Sequence, residues 1–304
     1  MLNGQGEARC VICDGPGPRP RWKVGADGSE GGVDAKSFRP SSQRFGEMSG
    51  QVVSCTICGH GALAEPPDPA NVALAYADAA DEVSLREREG QVATADAGLR
   101  RLERFVEPGR LLDVGCWTGS FVDAASQRGW DASGIEPSGW AVQVAKGHGL
   151  DVWQGELEDA QVPERTLRAA VVCDVLEHLD DPHPAVARLA SMLEPGGALY
   201  ITVPDAGSRL ARTMGRRWWS VLPMHLQYFT RTSMLLLLGA HGLRPVHVGT
   251  HTKVFTTRYY AEQASGYGAT LSRAAVSALE KLGQADRPIA PDFRDRMEVI
   301  AIRR

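Results

Sequence analysis

The sequence predicts an α/β chain, a largely parallel sheet with helices between its strands, behind a small cysteine-bearing domain. Three observations carry this. From residue 110 onward, short apolar runs alternate with stretches whose apolar residues recur at helical spacing, the pattern of successive βα units. The first apolar run, residues 111–114, ends at Gly115, with Gly119 four positions on and a helical stretch over 121–128, so it reads as strand, tight turn, helix. Two Cys-x-x-C pairs, Cys10 with Cys13 and Cys55 with Cys58, stand near the start.

Size and charge bound what such a chain can be. It has 304 residues, 43% of them hydrophobic, enough for one large domain or a medium one plus a small one. The net charge of −4 argues against broad nucleic-acid binding, which leaves a basic footprint. No apolar run reaches the ~18 residues that span a bilayer. The opening residues, MLNGQGEARC, lack the basic and apolar regions of a signal peptide. The expectation is a cytoplasmic protein with reduced thiols.

In chain order, the two cysteine pairs come first. Two such knuckles offer four thiolates to one tetrahedral Zn²⁺, a site that leaves no open coordination position and so serves structure. Reduced pairs without metal, or a disulfide, are the alternatives. The glycine-rich stretch 25–32 reads as an insert in a hairpin between the knuckles, and His60 as a solvated residue, a spare ligand at most. Glu65-Pro66-Pro67-Asp68-Pro69 is a stiff linker. The expected organisation is a zinc-ribbon-like domain over 1–66, a helical linker or lid over 67–107, and the α/β domain over 108–304. Within the linker, residues 83–106 carry an apolar stripe at helical spacing, and Tyr76 stands in the segment that can cover a site.

The α/β domain opens with strand 110–114. Its glycines let the backbone turn sharply and approach a ligand with no Cβ in the way. Asp113 stands at the strand end, where a cationic ammonium group can be held. Strand 131–136 ends in Glu136, about 20 residues past the first turn and placed to accept hydrogen bonds from ribose hydroxyls. Ser138 is the expected N-cap of the next helix. A short strand 151–154 precedes the acidic loop Gly155-Glu156-Leu157-Glu158-Asp159. Strand 169–173 is a continuous apolar run, as a central parallel strand requires, and ends at Asp174. Glu177 and His178 follow at the carboxyl edge of the sheet, where ligands bind in open α/β folds. A histidine there can take a proton near neutral pH. A helix over 184–193 and a strand over 198–203 follow. Residues 208–223 then cluster Arg209, Arg212, Arg216 and Arg217 with Trp218 and Trp219. Tryptophans stack on rings and arginines grip phosphate or carboxylate, although an amphipathic helix burying the tryptophans fits equally well. A leucine-rich helix over 232–241, a strand near 245–250, a helical tract over 257–282 and a last strand over 297–302 complete the chain.

The ordered set LLDVGCWTGSF, GIEPS, VVCDVLEHL and LEPGGALYITVP, spanning residues 110–204, resembles the class I S-adenosylmethionine-dependent methyltransferases. The resemblance implies an α/β, Rossmann-like, seven-stranded methyltransferase domain closed by an antiparallel strand, with the zinc-ribbon-like domain in front. It implies S-adenosyl-L-methionine as cofactor, held by Asp113, Gly115, Cys116, Trp117, Gly119, Glu136, Pro137 and Asp174, with Glu156 and Leu157 at the adenine. Trp117 departs from the family, which usually has glycine there, and sets an indole beside the cofactor's methionine end. The segment HLQYF, residues 225–229, is similar to one in methyltransferases of sugar and natural-product pathways. That likeness makes His225 the first choice of general base and Tyr228 an orienting hydroxyl, with His178 a second candidate base.

The expected activity is methyl transfer to oxygen or carbon of a small-molecule acceptor, such as a sugar or natural-product intermediate, free or carried on a nucleotide or other carrier. An RNA base methyltransferase, using Arg209–Arg217 as a local basic patch, and a non-catalytic binding module of the same fold are the alternatives, since a fold alone does not establish activity. No membrane partner is expected.

Overall fold

The computed structural model describes residues 9–24, 50–222 and 224–304. The insert expected over 25–32 lies outside the described residues. The chain opens with three short strands, β1 (Arg19–Val24), β2 (Gly50–Ser54) and β3 (Gly61–Leu63). Three helices follow: α1 (Pro69–Ala77), α2 (Glu82–Leu85) and α3 (Arg88–Leu102). Asp68 and Asp81 cap the first two, each accepting backbone N–H of the first turn; what the periodicity predicts as one helix over 83–106 is two, broken at Arg86–Glu87.

The α/β units come next: β4 (Arg110–Val114), α4 (Ser120–Gln127), β5 (Asp131–Glu136), α5 (Gly139–Gly147), β6 (Val152–Gln154), β7 (Leu167–Cys173), α6 (Pro182–Met192) and β8 (Leu193–Pro204). Then come α7 (Arg209–Met214), β9 (Gln227–Tyr228), α8 (Arg231–Ala240), β10 (Leu243–Thr250), β11 (Phe255–Thr256), α9 (Thr257–Gln263), α10 (Ala269–Lys281), β12 (Pro288–Ile289) and β13 (Arg296–Arg303). The tract expected over 257–282 is two helices, split by a turn at Gly266–Gly268.

The large sheet has seven strands in the order β10-β13-β8-β7-β4-β5-β6. β6, β5, β4, β7 and β8 run parallel, and β13 inserts antiparallel between β8 and β10. The expected seven-stranded, Rossmann-like sheet is present. Period-two alternation sends Leu112, Val114, Val172 and Ile201 to one face, against α6 and α8. Leu111, Ala169, Val171 and Tyr200 face the other way, against α3, α4 and α5. The order reverses between β4 and β7, and ligand crevices of such sheets open at that point, at the carboxyl ends of the strands.

The small sheet is not self-contained. Its order is β1-β2-β3-β9, so its fourth strand comes from residues 227–228, far beyond the proline-rich linker. The four knuckle cysteines gather at its end, and Cys10, Ile12, Cys55 and Cys58 join the same apolar cluster as α6, α8 and Phe229. His60, expected in solvent, is only 2% exposed. Its Nε2 lies 2.8 Å from Gln227 Oε1, and its ring packs 4.9 Å from that of Phe229. The pairing with β9 carries it inward, so it holds the ribbon to the main domain and stands outside the cysteine cluster.

Candidate active site

A cavity of about 670 Å³ opens at the switch point. Its floor is the turn after β4. Gly115 has φ +68° and Gly119 φ +78°, both in the left-handed region. A Cβ on Gly115 would stand 2.5 Å from Val175 Cγ2 in the facing loop, so only glycine lets the two loops meet. Trp117 also has positive φ, +50°, where the family's usual glycine costs nothing and a tryptophan is strained by about 1 kcal/mol. Contacts offset the strain. The indole lies 5.5 Å from that of Trp140, and Nε1 donates to Ser84 Oγ at 3.3 Å.

Glu136 is fully buried behind this turn. Its carboxylate accepts the backbone N–H of Trp117 at 2.9 Å and of Ser138 at 2.8 Å. Burial lifts its pKa to about 7 against the pull of those two bonds. Asp113, beside it, is raised well above the carboxylate range by burial and by the charge of Glu136. Ser138 caps α5 as expected and donates to the Ala79 carbonyl, tying the α1–α2 connection down over the turn. Tyr76 of α1 lines the cavity, and Val72, Ala75 and Trp117 pack around Ala79 and Met224.

The opposite wall is the loop after β7. Asp174 sits at φ +57° with its carboxylate paired to Lys253 at 2.5 Å and to Arg296. These cations hold it well below the usual carboxylate range despite burial, and its side chain is thereby committed to them. Glu177 is buried, and neither carboxyl oxygen has a hydrogen-bond partner among the described residues. Burial, then the charge of Asp174, pushes it up to about 8. His178 Nδ1 lies 3.0 Å from the Met224 carbonyl and His225 Nδ1 2.7 Å from the Ser220 carbonyl. A carbonyl can only accept, so each ring carries hydrogen on Nδ1; His178 has a further backbone hydrogen bond, with Asp174. The two rings meet edge to face at 5.0 Å. Burial lowers the pKa of both, and His178 lowers that of His225 further, so both are neutral imidazoles at pH 7.

Of the site residues expected from sequence, Asp113, Gly115, Cys116, Trp117, Asp174, His178 and His225 line one cavity. Gly119 and Glu136 support its floor from behind. Pro137, Glu156 and Leu157 are not in its lining; Leu157 is buried in the core and Glu156 is exposed at the 3₁₀ turn Leu157–Asp159. Tyr228 is placed elsewhere: it belongs to β9 and packs edge-on to Trp22 at 5.7 Å inside the small sheet. Alternation along the extended segment turns it from the side that His225 occupies, so its expected role as orienting hydroxyl does not fit its position. The basic and aromatic cluster divides. Trp218 is fully buried, donating to Asp295 Oδ2 at 2.9 Å; Arg216 and Arg217 are exposed outside the cavity; Trp219 lines it, edge to face with Phe293 at 5.3 Å.

Residues from the chain's last fifth complete the wall. Phe255, Tyr259, Tyr260 and Phe293 make it aromatic, with two cations, Lys253 and Arg296, and His251 and Tyr200 flank Glu298. Tyr259-Tyr260 was visible in the sequence as an aromatic pair, but its helix gave no sign of folding back over the sheet edge.

At the ribbon, the sulfurs of Cys10 and Cys58 lie 3.6 Å apart, as do those of Cys13 and Cys55, and all four fall within 4.8 Å of one another. Four thiolates at ~2.3 Å from one tetrahedral Zn²⁺ stand ~3.8 Å apart. The cluster fits that ion, and none of the four is in a disulfide.

Comparison with known proteins places these features. Residues 85–248, more than half of the chain, match the family described as methyltransferase domain. The ubiquinone biosynthesis O-methyltransferase of Alkalilimnicola ehrlichii is 36% identical over 163 residues, covering 45% of this chain and 65% of that protein. The mitochondrial enzyme of the same description from Schizosaccharomyces pombe is 27% identical over 152 residues, covering 47% of each. The chain thus spans less than two thirds of these relatives. A chain from the complex of the Haloferax volcanii Trm112 methyltransferase activator shares the fold, with a TM-score of 0.50 at 13% identity, over 71% of this chain and 92% of that one. Among the described residues, no helix is long and apolar enough to cross a membrane.

Proposed function

The chain belongs to the methyltransferase-domain family, and from that premise we propose that it transfers the methyl group of S-adenosyl-L-methionine to a hydroxyl of a small, ring-bearing acceptor. One observation carries the reading: the glycine turn, Asp113 and the two histidines His178 and His225 line a single cavity at the sheet's switch point. Asp113 holds the amino group of the methionine end. Glu136, aimed by the Trp117 and Ser138 N–H groups, keeps lone pairs for the ribose hydroxyls, and Pro137, Glu156 and Leu157 frame the adenine once the α1–α2 lid shifts. The cofactor supplies an electrophilic methyl, so the protein's tasks are alignment, exclusion of water and removal of the acceptor's proton. The last falls to the Glu177–His178–His225 cluster, with His225 the first histidine to receive it.

Oxygen is favoured over carbon because the relatives are named O-methyltransferases. The aromatic wall of Trp219, Phe255, Tyr259, Tyr260 and Phe293 suits a phenol or a glycosylated aromatic better than a bare sugar. The net charge of −4 speaks against an RNA acceptor. At the ribbon we propose a structural Zn²⁺ on Cys10, Cys13, Cys55 and Cys58, which anchors the sheet from which His225 is suspended two residues before β9.

The test is incubation with methyl-labelled S-adenosylmethionine and a panel of phenols, glycosylated aromatics and sugars. Label should pass to phenolic acceptors, with demethylated cofactor formed in equal amount. Cofactor binding with no transfer to any acceptor would favour a binding module of the same fold.

A further inference from the structure

Arg209 and Arg212 of the basic cluster stand outside the catalytic cavity, in a second one beside it. This cleft, of about 640 Å³, lies between α7, the start of α8 and the loop before β13. Four arginines line it, Arg209, Arg212, Arg231 and Arg294, against one carboxylate, Asp205. That carboxylate is spent within the wall. Its side chain is 5% exposed, Oδ1 accepts the Gly207 N–H at 2.9 Å, and Oδ2 accepts Arg231 Nε–H at 3.2 Å. Arg294 stands 3.9 Å from Asp292 at the surface. Arg209 and Arg212 pair with no carboxylate among the described residues.

Three separate segments bring these cations together. Arg209, Arg212 and Thr213 are three and four residues apart and share one face of α7. Arg231 and Thr232 open α8, a ten-residue helix whose first-turn N–H groups also favour an anion. Arg294 sits at φ +54°, a region L side chains rarely enter, with its N–H held by Asp292 Oδ1 at 2.9 Å. Arg21 of β1 adds a fifth cation close by. It donates to the Ala206 carbonyl at 2.8 Å and stacks on Trp22, and burial, then the charge of Arg212, lowers its pKa. A chain of net charge −4 thus crowds exposed like charges into one concavity, which focuses its field on an anion.

The cleft adjoins the methyl-transfer cavity. Phe293 lines both, Arg294 lines the cleft, and Asp295 lines the cavity while its carbonyl accepts the Asp205 N–H at 2.8 Å. We infer that this cleft binds the phosphoryl oxygens of a phosphorylated acceptor, whose ring reaches the cofactor's methyl past Phe293. Guanidinium forks pair with phosphoryl oxygens two at a time, and four of them from three segments suit a phosphate or diphosphate better than a single carboxylate. The cleft's role rests on the methyl-transfer reading; its existence as an anion site does not. The phosphoryl group takes no part in the bond changes. Held in the cleft, it sets the depth and orientation at which the ring meets the cofactor. Two sources supply this chemistry: a nucleoside diphosphate joined to the acceptor, or a phosphate ester on the acceptor itself.

The experiment titrates the full, zinc-replete chain with pyrophosphate by calorimetry at about 0.15 M salt, where diffuse surface attraction is largely screened. One pyrophosphate should bind per chain with sub-millimolar affinity. Arg209→Gln with Arg212→Gln should weaken it at least ~10-fold, while Arg216→Gln with Arg217→Gln, outside the cleft, should change it less than ~2-fold. UDP and phenyl phosphate then separate the sources. UDP binding more tightly than pyrophosphate assigns a nucleoside carrier, and phenyl phosphate binding more tightly than UDP assigns an ester on the acceptor. No pyrophosphate binding to folded protein, affinity indifferent to the first pair of variants, or equal weakening by both pairs overturns the inference. So does a single-stranded RNA oligonucleotide that outbinds UDP through the same arginines. Titration with S-adenosylmethionine on the same samples separates the readings. Cofactor binding without pyrophosphate binding removes the cleft alone, and pyrophosphate binding without cofactor binding upholds the anion site while removing the methyl-transfer reading.

Discussion

Gly98→Ala should destabilise this protein although glycine sits in the middle of a helix. In an exposed helix the change stabilises by about 1 kcal/mol. Here α3 packs on β8, and a Cβ on Gly98 would lie 2.5 Å from the Tyr200 hydroxyl and 3.0 Å from its Cζ. Tyr200 has nowhere to go. It is fully buried, flanked by Phe121 at 5.6 Å, and its hydroxyl donates to Glu298 at 2.6 Å. Relief needs a shift of nearly an ångström, which breaks a hydrogen bond to a buried carboxylate, costing about 1.5–3 kcal/mol. Overpacking adds roughly 1–3 kcal/mol. After the helix gain, the net loss is about 1.5–5 kcal/mol, or roughly 4–15 °C in Tm. Tyr200→Phe removes the atom that clashes, so adding Gly98→Ala in that background should cost under about 1 kcal/mol. Urea unfolding and calorimetry on the four members of this cycle measure the coupling. An alanine at 98 that stabilises, or costs that simply add, would refute the packing of α3 against this wall of the cavity.

Three further outcomes follow from the same geometry. Gly115→Ala places a methyl 2.5 Å from Val175 Cγ2 at φ +68°, so cofactor affinity by calorimetry should fall at least ~10-fold while the far-UV spectrum is kept. Glu298 is held at about 2, down from 4.5, because bonds from His251, Arg101 and Tyr200 outweigh its burial. A lowered carboxylate pKa contributes stability above pH 4.5 that is lost as pH falls toward 2, about 3 kcal/mol in all; unfolding titrations should show that slope in the native chain and its loss in Glu298→Gln. Stripping zinc from the ribbon, or Cys13→Ser, should loosen the small sheet, separate Trp22 from Tyr228 with a change in tryptophan emission, and lower methyl transfer through β9, which follows His225 by two residues.

The parts of this molecule legible in its sequence are those set by neighbours along the chain. The β4 turn could be read because strand, glycine and helix follow one another within a dozen residues, and the knuckles because Cys-x-x-C is a local geometry. The seven strands, with an antiparallel one near the chain's end, followed from the resemblance; their order did not. What escaped was decided by distant pairing. Nothing local marks Gln227 and Tyr228 as the fourth strand of a sheet begun 200 residues earlier, and that pairing both buries His60 and carries Tyr228 away from the cavity. The ion triad of Asp174, Lys253 and Arg296 joins three distant segments, and only the first stands out in the sequence. Trp218 and Trp219 are adjacent and indistinguishable in sequence, yet one fills the core and the other faces the cavity.

The most direct test of the central claim is calorimetric titration of the zinc-replete protein with S-adenosylmethionine and its demethylated product, beside Glu136→Ala. Micromolar binding of both, lost in the variant, is the expected result, because Glu136 is the carboxylate assigned to the ribose. Folded protein that binds neither, or a variant that binds as well as the native chain, would contradict it.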